Sequence, residues 1–232
     1  MAEKVVGIMG GMGPEATIDL YAKIVKATCA KSDEDHLRII IDNNPKMPSR
    51  LDAILHGGPS PAPAMVETAR NLEKAGADFI VIAANTAHWF YPDVQAGVNI
   101  PVLHMIKEAV NWTIDNLPGL SRVGLLATTG TARTKMYHDH FGEVGIEVLI
   151  PDADDQNRLL EQLFAYKYGE DVAQVRGRVV PIAEKLVQSG AGALVMGCTE
   201  VPLILEGYHS PVPLIDPNQI MAEAVVRYAK SF

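Results

Sequence analysis

Only two of the 232 residues are cysteine, Cys29 and Cys198, too few for the disulfide framework of a small secreted domain. Positive charge is in deficit: 20 Lys and Arg against 28 Asp and Glu leave a formal net charge of -8. That excludes the broad basic surface on which nucleic-acid binding depends, although a few local cations can still govern a pocket for a small anion. No apolar run approaches the length of a membrane span. The first residues carry no basic segment followed by a long apolar stretch, so no signal peptide is evident. Low-complexity segments are absent as well. What remains is 48% hydrophobic with a mean hydropathy of +0.08, the profile of a globular chain with a full core. A reduced, cytoplasmic protein without nucleic-acid or membrane partners is the expectation.

Short runs rich in Val, Ile and Leu recur along the chain. They fall at residues 5–9, 38–41, 79–83, 101–103, 122–126, 147–150, 193–196 and 213–215. The runs are continuous rather than alternating, which marks strands buried on both faces in a parallel sheet. Longer stretches of helical periodicity separate them, so the class is α/β. One irregular stretch, Gly57 to Pro63, reads as a mobile loop or lid.

The chain also repeats itself. Gly7 aligns with Gly124, Ala84 with Cys198 and Pro101 with Pro213, at offsets of 117, 114 and 112. Around these points KVVGIMGGMG matches RVGLLATTGT, LEKAGADFIVIAANT matches LVQSGAGALVMGCT, and NIPVLH matches VPLID. A slowly drifting offset is what a duplicated unit with small loop insertions produces. The expected architecture is two pseudo-symmetric, doubly wound α/β lobes: residues 1–104 with 216–232, and residues 105–215. Open α/β sheets bind ligands beyond the carboxyl ends of their strands, so equivalent loops would meet across one cleft, with position 84 and Cys198 on opposite sides of a bound molecule.

Several residues could carry chemistry. Cys198 ends a buried strand in MGCTE, where a thiol facing a helix start becomes acidic and reachable; taken alone it reads equally as a small packed hydrophobe. Glu200 could tune that thiol, neutralise a substrate ammonium or cap the next helix. His138 and His140 resemble a metal pair, but residues two apart on a helix do not share a face, and no metal site is expected. His88 reads as a structural hydrogen-bonding residue. Cys29 falls on an amphipathic helical stretch and reads as packing.

Four motifs, in order, then resemble the aspartate/glutamate racemase family across the whole chain: GGMGP at 10–14, NNPKMPSR at 43–50, NTAH at 85–88 and GCTE at 197–200. A dinucleotide reading of the first is disfavoured by Pro14 and by its departure from the full glycine fingerprint. The resemblance implies two α/β lobes and a two-base mechanism that uses no pyridoxal phosphate and no metal. In it, thiols on opposite faces of the substrate remove and return the α-proton. It implies that Arg50 binds the side-chain carboxylate, that Lys167 supplies a second cation, and that Asn85, Thr86 and Thr199 hold the α-carboxylate or α-ammonium. Thr128 and its neighbours Thr129 and Thr131 would play a similar part in the second lobe, and Met12 would line the cleft. A homodimer is implied too, although no interface is legible in the sequence.

The departure falls at Ala84, where the family carries its first cysteine; a methyl group neither gives nor accepts a proton. Two explanations compete. One is a racemase with a Cys-to-Ala change, engineered or otherwise inactivating. The other is a natural one-thiol enzyme similar to arylmalonate decarboxylase, acting on a related dicarboxylate. The otherwise intact motifs favour the first, and a dicarboxylate-binding protein without chemistry is a third reading. The expectation is a scaffold that binds a small acidic amino acid or dicarboxylate and does not racemise it.

Overall fold

Each of the eight aliphatic runs becomes a parallel strand. Those at residues 6–10, 79–82, 123–126 and 193–196 are buried on both faces, whereas those at 39–43 and 147–149 are partly exposed, against the expectation, because they lie at sheet edges. The computed structural model describes residues 3–231. In chain order the first half holds β1 (Val6–Gly10), α1 (Pro14–Ala27), β2 (Ile39–Asn43), α2 (Arg50–His56), α3 (Ala62–Lys74) and β3 (Phe79–Ile82). A 3-10 turn at Thr86–Phe90 then leads into α4 (Tyr91–Ala96), β4 (Val102–Leu103) and α5 (Met105–Asn116). The second half holds β5 (Arg122–Leu126), α6 (Thr129–Arg133), α7 (Met136–Gly142), β6 (Glu147–Leu149), α8 (Ala153–Lys167), α9 (Val172–Gln188), β7 (Ala193–Met196), α10 (Val201–Ile204) and β8 (Leu214–Ile215). Helix α11 (Pro217–Lys230) closes the chain.

The chain divides into two units, Met1–Glu108 with Asn218–Phe232, and Ala109–Pro217. Each contains one four-stranded sheet, ordered β2-β1-β3-β4 in the first unit and β6-β5-β7-β8 in the second, and every pairing is parallel. In the first unit, one face of the sheet packs Val6, Ile8, Phe79 and Val81 with Leu20 and Ile24 of α1 and Met221 and Val225 of α11. The other face packs Ile80 and Ile82 with Met65, Ala69 and Leu72 of α3. The second unit buries Leu194 and Met196 against Leu159 and Leu163 of α8 and Val175, Val179 and Ile182 of α9.

The strand order locates the chemistry within each unit. From β1 the chain winds one way to β2 and the other way to β3, and likewise from β5 to β6 and β7. Loops leaving the carboxyl ends of β1 and β3, and of β5 and β7, therefore diverge and leave a crevice at the switch point. Those loops are the GGMGP and NTAH segments in the first unit, and the threonine-rich and GCTE segments in the second.

Two local expectations need correction. Cys29 is not a packed helix residue: α1 ends at Ala27, Cys29 takes a left-handed φ of 50°, and its thiol is exposed. The periodic apolar pattern runs to the last turn, but Thr28 and Cys29 turn the chain away before the next face is buried. The irregular stretch after Gly57 is also shorter than expected. It ends at Pro61, and Ala62 and Pro63 form the first turn of α3, where a proline lacking its N–H disturbs nothing.

Candidate active site

The glycine loop after β1 is fixed by close backbone packing. Gly11 has φ of +92°, and a Cβ there would fall 2.3 Å from the backbone carbon of Asn44. Thr17 Oγ1, from the first turn of α1, accepts the Gly11 N–H at 3.0 Å. Arg50 opens α2, whose first turn is capped by the Ser49 side chain. Its guanidinium folds back on the same loop, with Nη2 donating to the Met12 carbonyl at 3.3 Å and Nη1 to the Pro48 carbonyl at 3.3 Å. The Met12 side chain is buried in a cluster with Met9, Met47 and Ala84. Arg50 and Met12 are thus brought together through a main-chain contact.

At the end of β3, Ala84 and Asn85 are buried and Thr86 is half-buried, at the start of the 3-10 turn. His88 ties this turn down. Its Nε2 accepts the Met105 backbone N–H at 3.1 Å, which leaves Nδ1 to carry the proton and donate to the Ala84 carbonyl at 2.8 Å. The imidazole is buried and both nitrogens are used, a structural role for His88.

In the second unit, β5 and β7 pair with Leu126 beside Met196. Continued by two residues, that register sets Thr128 beside Cys198. Thr128 caps α6, accepting the Thr131 N–H at 3.2 Å. Where β6 has already turned away, the Ala127 carbonyl receives the Gln156 side-chain amide of α8 at 3.0 Å. Cys198 itself is buried and packs in the core of this unit.

The centre of the site is a carboxylate shared among three groups. Glu200 Oε2 accepts from Cys198 Sγ at 2.8 Å and from Thr199 Oγ1 at 3.2 Å, while Oε1 pairs with Lys167 Nζ at 3.0 Å. Glu200 occupies the cap position of α10 but its side chain caps nothing, because both oxygens are committed to these partners. Burial pushes the Cys198 thiol well above its ordinary range; the Glu200 charge adds to the shift and Lys167 partly opposes it. This corrects the expectation of an acidic thiol at a helix start. Helix α10 is only four residues long, so its dipole is weak, whereas desolvation and an adjacent carboxylate both disfavour the thiolate.

Sequence reasoning missed Tyr137. It is fully buried in α7, and its ring lies 3.4 Å from where a Cβ on Gly197 would stand. Nothing in the local pattern distinguishes it from a core aromatic, because its proximity to the thiol depends on how α7 folds back on the sheet. His138 and His140 share that helix, and no group of three His, Cys, Asp or Glu set to hold a metal occurs among the described residues. Nor is any helix among the described residues long and apolar enough to cross a membrane.

Comparison with known proteins places the chain in a family. A relative from Bacillus subtilis, a broad specificity amino-acid racemase, is 27% identical over 226 residues, covering 95% of this chain and 96% of its own. The aspartate racemase of Picrophilus torridus superposes with a TM-score of 0.86 at 30% identity, covering 97% of this chain and 94% of that one. An aspartate racemase homologue from Pyrococcus horikoshii gives 0.79 at 26% identity, over 98% and 100% of the two chains. The family model for Asp/Glu/hydantoin racemases matches residues 9–225. With two four-stranded parallel sheets of the same winding and a thiol at the switch point of the second, this chain belongs to the Asp/Glu/hydantoin racemase family and carries its amino-acid racemase scaffold.

Proposed function

We propose that the chain is a cofactor-independent racemase scaffold for aspartate or glutamate in which Cys198 is the surviving acid/base. The observation that carries this reading is the hydrogen bond from the Cys198 thiol to Glu200, itself paired with Lys167. A thiol held on a carboxylate can pass its proton to that carboxylate, and the resulting thiolate can take an α-proton from a bound amino acid. Reversal returns the proton to the same face of the α-carbon. The α-carbanion needs electrostatic support, which side-chain and backbone donors around Thr128 and Thr199 are suited to give.

The first unit offers Arg50, whose planar fork matches a carboxylate, together with Asn85 and Thr86. Lys167 provides a cation in the second unit, already balanced by Glu200. Inversion also requires an acid or base on the other face, and Ala84, equivalent to Cys198 by strand position, can be neither. In this reading the chain binds an acidic amino acid and exchanges its α-proton on one face without inverting it. The relatives named as aspartate racemases support the substrate class, and the name of the Bacillus subtilis relative suggests that the scaffold also accommodates other side chains.

Ala84→Cys tests the proposal. Chiral chromatography should show conversion of L- to D-aspartate or glutamate by the variant and none by the parent chain. No conversion of any amino acid by a folded variant would overturn the reading. The single thiol also supports a second reading, a decarboxylase resembling arylmalonate decarboxylase. Release of carbon dioxide from a disubstituted malonate, abolished by Cys198→Ala, would favour it. Stabilisation by dicarboxylates without any Cys198-dependent turnover would instead indicate a binding protein.

A further inference from the structure

The buried phenol of Tyr137 has no place in the mechanism above, yet its ring lies beside the residue that precedes the reacting thiol. Its ring packs against Gly197, the residue before Cys198, at a position so close that Leu125 Cδ1 and Ala127 Cβ also crowd any added side chain there. Its own placement is rigid, because it is fully buried and stacked on Phe141 one helical turn later, with ring centroids 6.3 Å apart. And β8 pairs with β7 so that Ile215 lies beside Val195, which sets Asp216 beside Met196. The carboxyl end of β7 is therefore bounded by Tyr137 on one side and Asp216 on another. Burial pushes the ionisation of the phenol far up, and the negative charges of Asp216 and Cys198 add to the shift.

A buried hydroxyl has to donate somewhere, and a phenol that does not ionise can only be a donor toward an anion. We propose that Tyr137 is the thiolate-stabilising donor of this site: its O–H is shared between Asp216 and the Cys198 sulfur, and turns to the sulfur once the thiol proton has passed to Glu200. In that step the S–H bond breaks, an O–H bond forms on the Glu200 carboxyl, and the Tyr137 O–H stays intact while changing acceptor. Asp216 is half-buried and can draw on solvent when the phenol leaves it. The groups acting on Cys198 are Glu200 from its own segment and Lys167 from α8, with Thr199 on the same carboxylate; in the proposed arrangement the Tyr137 hydroxyl from α7, held by Asp216 after β8, joins them. Two of them, Lys167 and Tyr137, favour the thiolate and offset the burial that disfavours it. The inference rests on the reading of Cys198 as an acid/base, but it can be tested without turnover.

The experiment is alkylation of the native full-length chain by iodoacetamide as a function of pH, read by peptide mass spectrometry, with exposed Cys29 as the reference thiol in the same molecule. Tyr137→Phe keeps the ring and removes the donor. It is expected to move the Cys198 midpoint up by about one pH unit, so that below both midpoints Cys198 reacts about tenfold more slowly relative to Cys29. Asp216→Asn removes the competing charge and should move the midpoint down, making Cys198 about tenfold faster. A midpoint in Tyr137→Phe that is unmoved or lowered overturns the proposal. If that variant does not fold, Asp216→Asn decides, and an unmoved or raised midpoint overturns it. Should both midpoints move as expected while Ala84→Cys fails to racemise, the role of Tyr137 stands and the racemase reading falls.

Discussion

Cys198 Sγ lies 2.8 Å from Glu200 Oε2, so the thiol is a hydrogen-bond donor to a carboxylate two residues further along the chain. With burial, this pair makes the thiol hard to ionise. The carboxylate raises the cost of a neighbouring negative sulfur, yet in the proposed mechanism it is also the group that receives the thiol proton. Lys167 keeps the buried charge balanced through the other carboxylate oxygen.

The pair makes opposite predictions for ionisation and turnover. Glu200→Gln removes the charge and the acceptor that hold the thiol up, so alkylation of Cys198 near neutral pH should rise about tenfold. One-face α-proton exchange in deuterated water, followed by NMR, should fall by a similar factor because the proton has no acceptor. Lys167→Met should slow the alkylation instead. A rise in exchange with Glu200→Gln would contradict the relay.

Stability should depend on Cys198 at alkaline pH. The folded thiol holds its proton above the ordinary thiol value of about 8.5, whereas the unfolded thiol releases it there. The unfolded chain therefore binds fewer protons above that pH, and stability falls as pH rises, by up to about 1.4 kcal/mol per pH unit from this group. Below about pH 8 the contribution is complete. Thermal unfolding from pH 7 to 10.5 should show a steeper alkaline loss for the parent chain than for Cys198→Ala; parallel curves would refute it.

The glycine loop should be intolerant at one position and permissive two residues later. Gly11→Ala forces a side chain onto a left-handed backbone and into the Asn44 main chain, at a cost of about 3 kcal/mol. A Cβ on Gly13 meets nothing within 4 Å, and Gly13→Ala should change stability by less than about 1 kcal/mol. Urea denaturation of the two variants checks the contrast.

His88→Ala should destabilise the first unit by about 3 kcal/mol or more. It orphans the Ala84 carbonyl and the Met105 N–H, both buried, and opens a cavity. Hydrogen exchange at the Met105 amide should rise sharply. An unchanged exchange rate would mean that the two hydrogen bonds of the imidazole do not hold the turn.

Burial along the chain is what the sequence determines by itself. All eight strands, the duplication and the placement of Ala84 and Cys198 at equivalent strand ends follow from continuous aliphatic runs and a repeated spacing, although burial on both faces holds only for the central strands and not for the edge strands β2 and β6. Motif spacing likewise marked Arg50, Lys167 and Glu200 as polar groups to watch. The tertiary structure decided what each of them touches. Lys167 reaches Glu200 only because α8 packs into the same core as β7, a pairing across 33 residues that no local pattern encodes. Tyr137 is indistinguishable in sequence from any core aromatic until α7 sets it against Gly197. The protonation of Cys198 was misjudged from its strand-end position because ionisation responds to the sum of burial and all facing charges. Those charges come from separate segments, and only the fold brings them to one sulfur atom.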